Sequence, residues 1–447
     1  MPTVIGVIFF CCGAYCFLYK EDRLFGLLII ASTFEAASAI NFGNRGIQPY
    51  YVVAAFTIAR GLVNWLLGVR FNRKMPQRKW LLIFGAIAVA SAFVLPVVFA
   101  GVPVYDVKIG IDDGLFIRPP LQFGLYNVTQ AVYLALHIAT AFALFSIKFS
   151  AEKIRKAYLL AFYIEVFFVF AESLCQIARI QFPLWIVLNN PGYSLWENSQ
   201  MAYGTRVPGT FSEPSIAGAF LVLYCVGFLA QYLAQKGRSI RLIVSLVASG
   251  MVASSSSLLT LSLAPVAMLV RYSPFRFPWY INLKQTKRIA WIVFLLIVPL
   301  ILVLVFFSGY REVLTNVTVS KGESGSFISR TAADLYSLQL LLRTYGLGVG
   351  LGGNRSSGLL TTLISNVGFG GILAFLVFYF KLFANLSEEY AWLRWAGFAL
   401  LFNMCLGVSD ITIPIVWCPL LLATQFGAER KAVPPKLNVP NLVPAGR

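Results

Sequence analysis

The chain is dominated by apolar runs of about twenty residues, broken by short basic stretches, which is the length at which a helix crosses a bilayer. They fall near 3–19, 24–40, 49–68, 80–104, 125–147, 157–177, 215–234, 242–270, 289–308, 358–380, 391–408 and 411–426. Inside lipid every backbone N–H and C=O must find its partner within the protein, which leaves only helices or a closed barrel. A barrel would show short alternating strands, whereas these blocks are continuous. The expected fold is therefore all-α, a polytopic integral membrane protein. Composition points the same way: 58% of residues are hydrophobic, 12% are charged and the mean hydropathy is +0.76. A soluble core of this size could not hide so much apolar surface.

Positive charge sets the expected orientation. Lys and Arg cluster at 70–79, 148–156, 235–241 and 271–288, and such clusters mark cytoplasmic connections. This accounts for the net charge of +18 without nucleic acid as a partner; a smaller share is open to anionic substrates. The run 242–270 has a basic cluster at both ends, so it must cross twice or dip and return, with the serines at 254–257 as its outer turn. Counting it as two short helices gives about 13 spans, within a range of about 12–14. The same parity puts the loops 105–124, 180–215 and 309–357 outside the cytoplasm. The last two are longer than connectors need to be, and loops of that kind usually carry function. A single transmembrane domain over 1–430, with its periplasmic loops near 180–215 and 309–357, is followed by a short cytoplasmic tail at 431–447.

The first apolar stretch reads as a retained span, not a cleaved signal. The seven cysteines lie almost wholly in apolar runs with no metal-ligand spacing, so neither a disulfide framework nor a metal site is expected. The single histidine, His137, sits mid-span and reads as buried and satisfied. Ionisable residues inside apolar runs (Glu35, Arg60, Glu165, Glu172, Arg179 and Asp410) must face a cavity or a partner. Glu172 and Arg179 are two turns apart on one helix face, so an ion pair and a lining role are both open; none of the six is placed in the site.

Two constellations could carry chemistry. The first is RVPGTFSEPS at 206–215, where Arg206 and Glu213 can converge across a Pro-Gly turn at the start of a helix. The same residues also suit a plain helix cap. The second begins at Arg330, continues through Arg343, and ends in the run GLGVGLGGNRSS at 346–357. A formal G-x-G-x-x-G spans Gly348 to Gly353, but no βαβ unit surrounds it to support dinucleotide binding. Unobstructed backbone at Gly348 and Gly350, next to Asn354, Arg355, Ser356 and Ser357, could instead form an anion nest. Arginine adds planar donors suited to phosphate. A flexible loop with scattered arginines is the plainer reading of the same residues.

With RVPGTFSEPS, the serine-rich ASSSSLLTL at 253–261 and SRTAADLYSLQLLLRTYGLGVGLGGNRSSGLLTTLISNVGFGG at 329–371, the chain resembles the O-antigen polymerase/ligase superfamily, specifically its Wzy-type polymerases. Order, spacing and membrane context agree over roughly the C-terminal two thirds. The resemblance implies an inverting, metal-independent and cofactor-free glycosyltransferase of the bacterial inner membrane. Its partners would be undecaprenyl-diphosphate-linked oligosaccharides and membrane lipids, with a chain-length regulator as a further candidate. Arg206 and Arg330, with Arg355 third, would stabilise the departing diphosphate, and Glu213 would take the acceptor's proton. Ligases of the superfamily carry a His after the Gly-rich run and a Ser-Arg pair in the short helices. Here Arg355-Ser356-Ser357 and serines alone occupy those places, which favours polymerase over ligase and leaves the general base open. A flippase for a lipid-linked oligosaccharide is the competing non-enzymatic reading.

Overall fold

The computed structural model describes residues 1–69, 75–105, 117–192, 206–234, 238–271, 275–276, 280–281 and 325–429. The apolar run at 289–308, most of the basic stretch 271–288, the loop portions 193–205 and 309–324, and the tail from 430 lie outside the described residues.

Helices account for nearly all of the regular structure. In chain order they are α1 (Val4–Tyr19), α2 (Leu24–Ala31), α3 (Pro49–Leu66), α4 (Arg78–Val98), α5 (Leu125–Ala143), α6 (Ala151–Ile177), α7 (Pro214–Leu233), α8 (Ser239–Val252), α9 (Ser255–Arg271), α10 (Gly325–Arg343), α11 (Leu359–Ala384), α12 (Ala391–Gly407) and α13 (Pro414–Glu429). Local chemistry sets several starts. The Thr3 side chain caps α1 by accepting from Gly6 N, while Pro49, Pro214 and Pro414 open α3, α7 and α13, where a missing N–H costs nothing. A short antiparallel hairpin, β1 (Ile40–Phe42) with β2 (Arg45–Ile47), turns at Gly43, whose φ is +56°.

Five helices are long and apolar enough to cross a membrane: α4, α5 with its extension to Ser146, α6, α7 and α11. Four of them turn much of their apolar surface outward, whereas α7 is 89% buried within its most apolar window. An apolar exterior around a buried apolar helix is the signature of a bundle made to face lipid. The neighbours of α7 are α6, α8, α9 and α12. Against α6 it stacks Tyr224 on Tyr158 at 4.2 Å and donates the Tyr224 hydroxyl to Tyr158 O at 3.0 Å. Gly218 lets the serine turn come close, since a Cβ there would fall 2.2 Å from Ser257 Oγ. Small residues serve this purpose wherever lipid offers no hydrophobic drive between helices.

Two expectations need revision. The run 24–40 does not form one span: α2 stops at Ala31 after eight residues, and the chain continues as turns and then the β1–β2 hairpin. Ser32 and Thr33 donate their hydroxyls back to Ile29 O and Ile30 O, which competes with further helix. The segment 309–357 is not all loop either, because nineteen of its residues form α10. The run 242–270 does divide into two short helices, joined at Ala253 in left-handed conformation.

The bundle has two unlike ends. At one, the turn at Glu21–Arg23 meets the start of α6, where Lys153 pairs with Asp22 and holds that carboxyl below the usual range. Arg60 donates to Glu21 at 2.6 Å, and Lys381 lies over Trp80. The other end gathers the hairpin and the segments 32–39, 99–105, 206–213, 253–254, 346–357 and 408–413. We call these the basic end and the loop end.

Candidate functional site

The segment 206–213 is held at the loop end by three buried carboxylates from elsewhere in the chain. Gly209 N donates to Glu172 at 3.3 Å, Thr210 N and its hydroxyl donate to Glu165 at 3.0 and 2.6 Å, and Ser212 N donates to Glu35 at 2.9 Å. Each such bond contributes about 0.5–1.5 kcal/mol. Gly209 is required: its φ is +62°, and a Cβ would lie 2.4 Å from Glu165 Oε1. The acids left outside the site are therefore what shapes one half of it. Among the described residues no ion pair joins Glu172 to Arg179. Arg206 is half-buried at the start of this segment. Glu213 is also half-buried; it occupies the N-cap position of α7 without a side-chain cap bond, and its carboxylate accepts from Ser215 Oγ at 2.9 Å.

Across the serine turn lies Arg330. Ser254 and Ser257 pack on Gly218 one turn into α7, while Ser256 and the Arg330 guanidinium both face Gly407. Arg330 is half-buried and has no carboxylate partner among the described residues. One turn further along α10, Asp334 is occupied: it accepts from the hydroxyls of Ser356, Ser357 and Thr361 and from Ser357 N at 3.0 Å. Ser356 and Ser357 are thus an anchor for the chain at the start of α11, not free donors for a ligand.

The glycine-rich run does not form an anion nest. The N–H groups of Gly348, Val349, Gly350, Leu351, Gly353 and Asn354 are all taken, by Thr344 Oγ1, Ser365 O, Asn366 O, Ser91 Oγ, Gly350 O and Asn366 Oδ1. The physical cause is in α11, which breaks at Gly368 (φ +66°, ψ −171°) and frees carbonyls that the run then satisfies; Phe369 N returns a bond to Gly346 O. Irregular backbone inside a membrane bundle must be patched in this way. Asn354 is likewise structural: 1% exposed, it accepts from Tyr105 N and donates to Ser337 and Ser365.

Arg355 remains half-buried beside α5, where its charge and that of Asp410 both bear on the Tyr126 hydroxyl. Asp410 accepts from Gln130 at 3.3 Å and from Thr412 N and Oγ1 at 2.7 and 2.8 Å. Behind it, His137 is buried as expected: Nε2 lies 2.8 Å from Thr412 O, Nδ1 lies 3.0 Å from Tyr50 Oη, and the ring stacks on Trp417. Arg343 does not join Arg330, since it lies thirteen positions further along α10, about 20 Å along the axis. The loop end therefore assembles Arg206, Glu213, the serine turn, Arg330, Arg355, Asp410, Gln130 and Tyr126, with Asp334 as organiser. Residue spacing gave no sign of Asp334 or Gln130.

Comparison with protein-family models finds none that matches the chain, and comparison with curated proteins finds no match either.

Proposed function

We propose that the protein polymerises undecaprenyl-diphosphate-linked oligosaccharide repeat units into a surface polysaccharide, with its loop end facing the periplasm of a bacterial inner membrane. The observation that carries this reading is Arg330, a half-buried guanidinium with no carboxylate partner among the described residues, beside an acid already committed to serines. An unneutralised charge away from bulk water favours binding an anion, and a guanidinium favours a phosphate oxygen pair. The described lysines (Lys20, Lys79, Lys148, Lys153, Lys156 and Lys381) belong to the basic end, whereas the described cations of the loop-end segments are arginines. That division suits positive-inside orientation at one face and phosphate recognition at the other.

In the reaction, a hydroxyl of the acceptor sugar attacks the anomeric carbon of the donor. The new C–O bond forms as the bond to the diphosphate oxygen breaks, with inversion, and undecaprenyl diphosphate leaves. The hydroxyl proton passes to Glu213. Arg330 and Arg206 meet the charge developing on the leaving group, with Arg355 as the third cation, and binding of both sugars supplies proximity. The topology of about 12–14 spans, with 105–124, 180–215 and 309–357 outside the cytoplasm, is part of the same proposal. Purified protein incubated with undecaprenyl-diphosphate repeat units should give a ladder of products on a gel. Absence of any product beyond the single unit, with the lipid moved across the bilayer of a vesicle, would favour a flippase; transfer only to lipid A–core would favour a ligase.

A further inference from the structure

The far end of α10 carries a second cationic group, unconnected to Arg330. Tyr336 is buried, donates its hydroxyl to Pro103 O at 2.7 Å, and meets the Tyr105 ring edge-on at 5.5 Å. Two guanidinium carbons lie over the Tyr336 ring, Arg118 at 4.0 Å and Arg343 at 5.7 Å from its centroid. Arg118 also donates to Tyr105 Oη at 3.1 Å and lies 5.0 Å from that ring. Both arginines are exposed, and neither has a carboxylate partner among the described residues. Arg343 sits in the last turn of α10, where the helix dipole favours a cation; the dipole does not account for Arg118, which comes from a different segment. Sharing one ring keeps the two guanidinium groups close enough for both charges to act on one anionic headgroup.

The helix face flanking the pair is hydrocarbon. Leu335, Leu338 and Leu342 form an exposed stripe on α10 at helical spacing, and Ile117, Tyr345 and Leu347, close in sequence to the two arginines, are exposed as well. Leu342 is 75% and Tyr345 88% exposed. An anion site that borders an apolar stripe and an exposed tyrosine has the profile of a headgroup level in a bilayer.

We propose that Arg118 and Arg343, held on Tyr336, clamp the phosphate of a membrane lipid whose chains lie along the Leu335–Leu338–Leu342 stripe. The clamp is a lipid site separate from the polymerising centre, and its test reads lipid retention, not polymer. The full chain, purified in mild detergent, is titrated with short-chain phosphatidic acid and, in separate arms, with diacylglycerol of the same chains and with inorganic phosphate. The wild type should bind phosphatidic acid and neither of the others. Arg118→Gln and Arg343→Gln should each weaken that binding about tenfold, while Lys156→Gln, an exposed cation at the basic end, leaves it unchanged. Each variant is first checked for monodisperse elution, and Arg343→Lys, which keeps the charge but not the planar donor, should bind between wild type and Arg343→Gln. Wild-type affinity in both glutamine variants, or equal binding of diacylglycerol, would overturn the clamp. Inorganic phosphate bound as tightly as phosphatidic acid would overturn the lipid assignment.

Discussion

Arg330 and Asp334 lie one helical turn apart on α10, a spacing that ordinarily pairs them, yet the carboxylate is turned to Ser356, Ser357 and Thr361 instead. Among the described residues the guanidinium is left without an ion-pair partner. Arg330→Ala should therefore abolish polymer with the protein inserted at normal levels, and Arg330→Lys should retain a small residual activity because charge survives while the bidentate fork does not. Long-chain product from the alanine variant at wild-type level would remove Arg330 from the site. Glu165 answers a different need. It is the acceptor for Thr210 N, whereas the Thr210 hydroxyl also reaches Thr33 O at 2.5 Å, so Glu165→Ala leaves one buried N–H unmatched and should cost about 1–3 kcal/mol. Glu165→Gln keeps an acceptor oxygen and should recover most of that, read as thermal unfolding in detergent. If the alanine variant melts with the wild type, segment 206–213 does not depend on this acid. None of these partnerships was legible from spacing. The acids 35, 165 and 172 were visible as charges at membrane depth, but their partners lie from 37 to 177 positions away in sequence.

At the scale of elements, the glycine run and the break in α11 are one device. The run supplies N–H groups to Ser365 O and Asn366 O, the carbonyls released by the kink at Gly368. Gly348 has φ +84°, and a Cβ there would meet Asn366 O at 2.7 Å. Gly348→Ala therefore adds strain to a backbone collision and should cost at least about 2 kcal/mol. Gly43 provides the control: its φ is also positive at +56°, but nothing lies within 4 Å, so Gly43→Ala should cost only about 1 kcal/mol. Equal melting temperatures for the two variants would mean that the run does not patch the helix. The helical character and most helix positions were legible because lipid-spanning length and apolar composition are local properties. The return at 242–270 was legible too, from basic clusters at both of its ends. The function of the glycines was not, because an anion nest and a backbone patch demand the same residues and differ only in whether the N–H groups find a partner inside the fold. The truncated α2 was missed for a related reason: the run 24–40 keeps the polarity of a span, while the hydroxyls of Ser32 and Thr33 stop the helix within it.

For the whole molecule, the proposed chemistry requires one end of the bundle to face each side of the membrane. The loop end holds Arg206, Arg330 and Arg355, and the basic end holds the described lysines. Lysine-rich connections resist translocation, so the proposal places the basic end in the cytoplasm and the arginines outside, on the side where its lipid-linked substrate would have to be. Asn44 at the hairpin turn and Glu388 between α11 and α12 are both exposed and sit at opposite ends. In a variant whose exposed Cys11 and Cys12 are replaced by serine, Asn44→Cys should react with a membrane-impermeant thiol reagent on intact spheroplasts. Glu388→Cys should react only after the membrane is opened. The opposite pattern would put Arg330 in the cytoplasm, where no periplasmic glycosyl transfer could use it. Because the lipid clamp at Arg118 and Arg343 asks only for a phosphate at a bilayer surface, it would survive that result, and the two proposals are thereby separable.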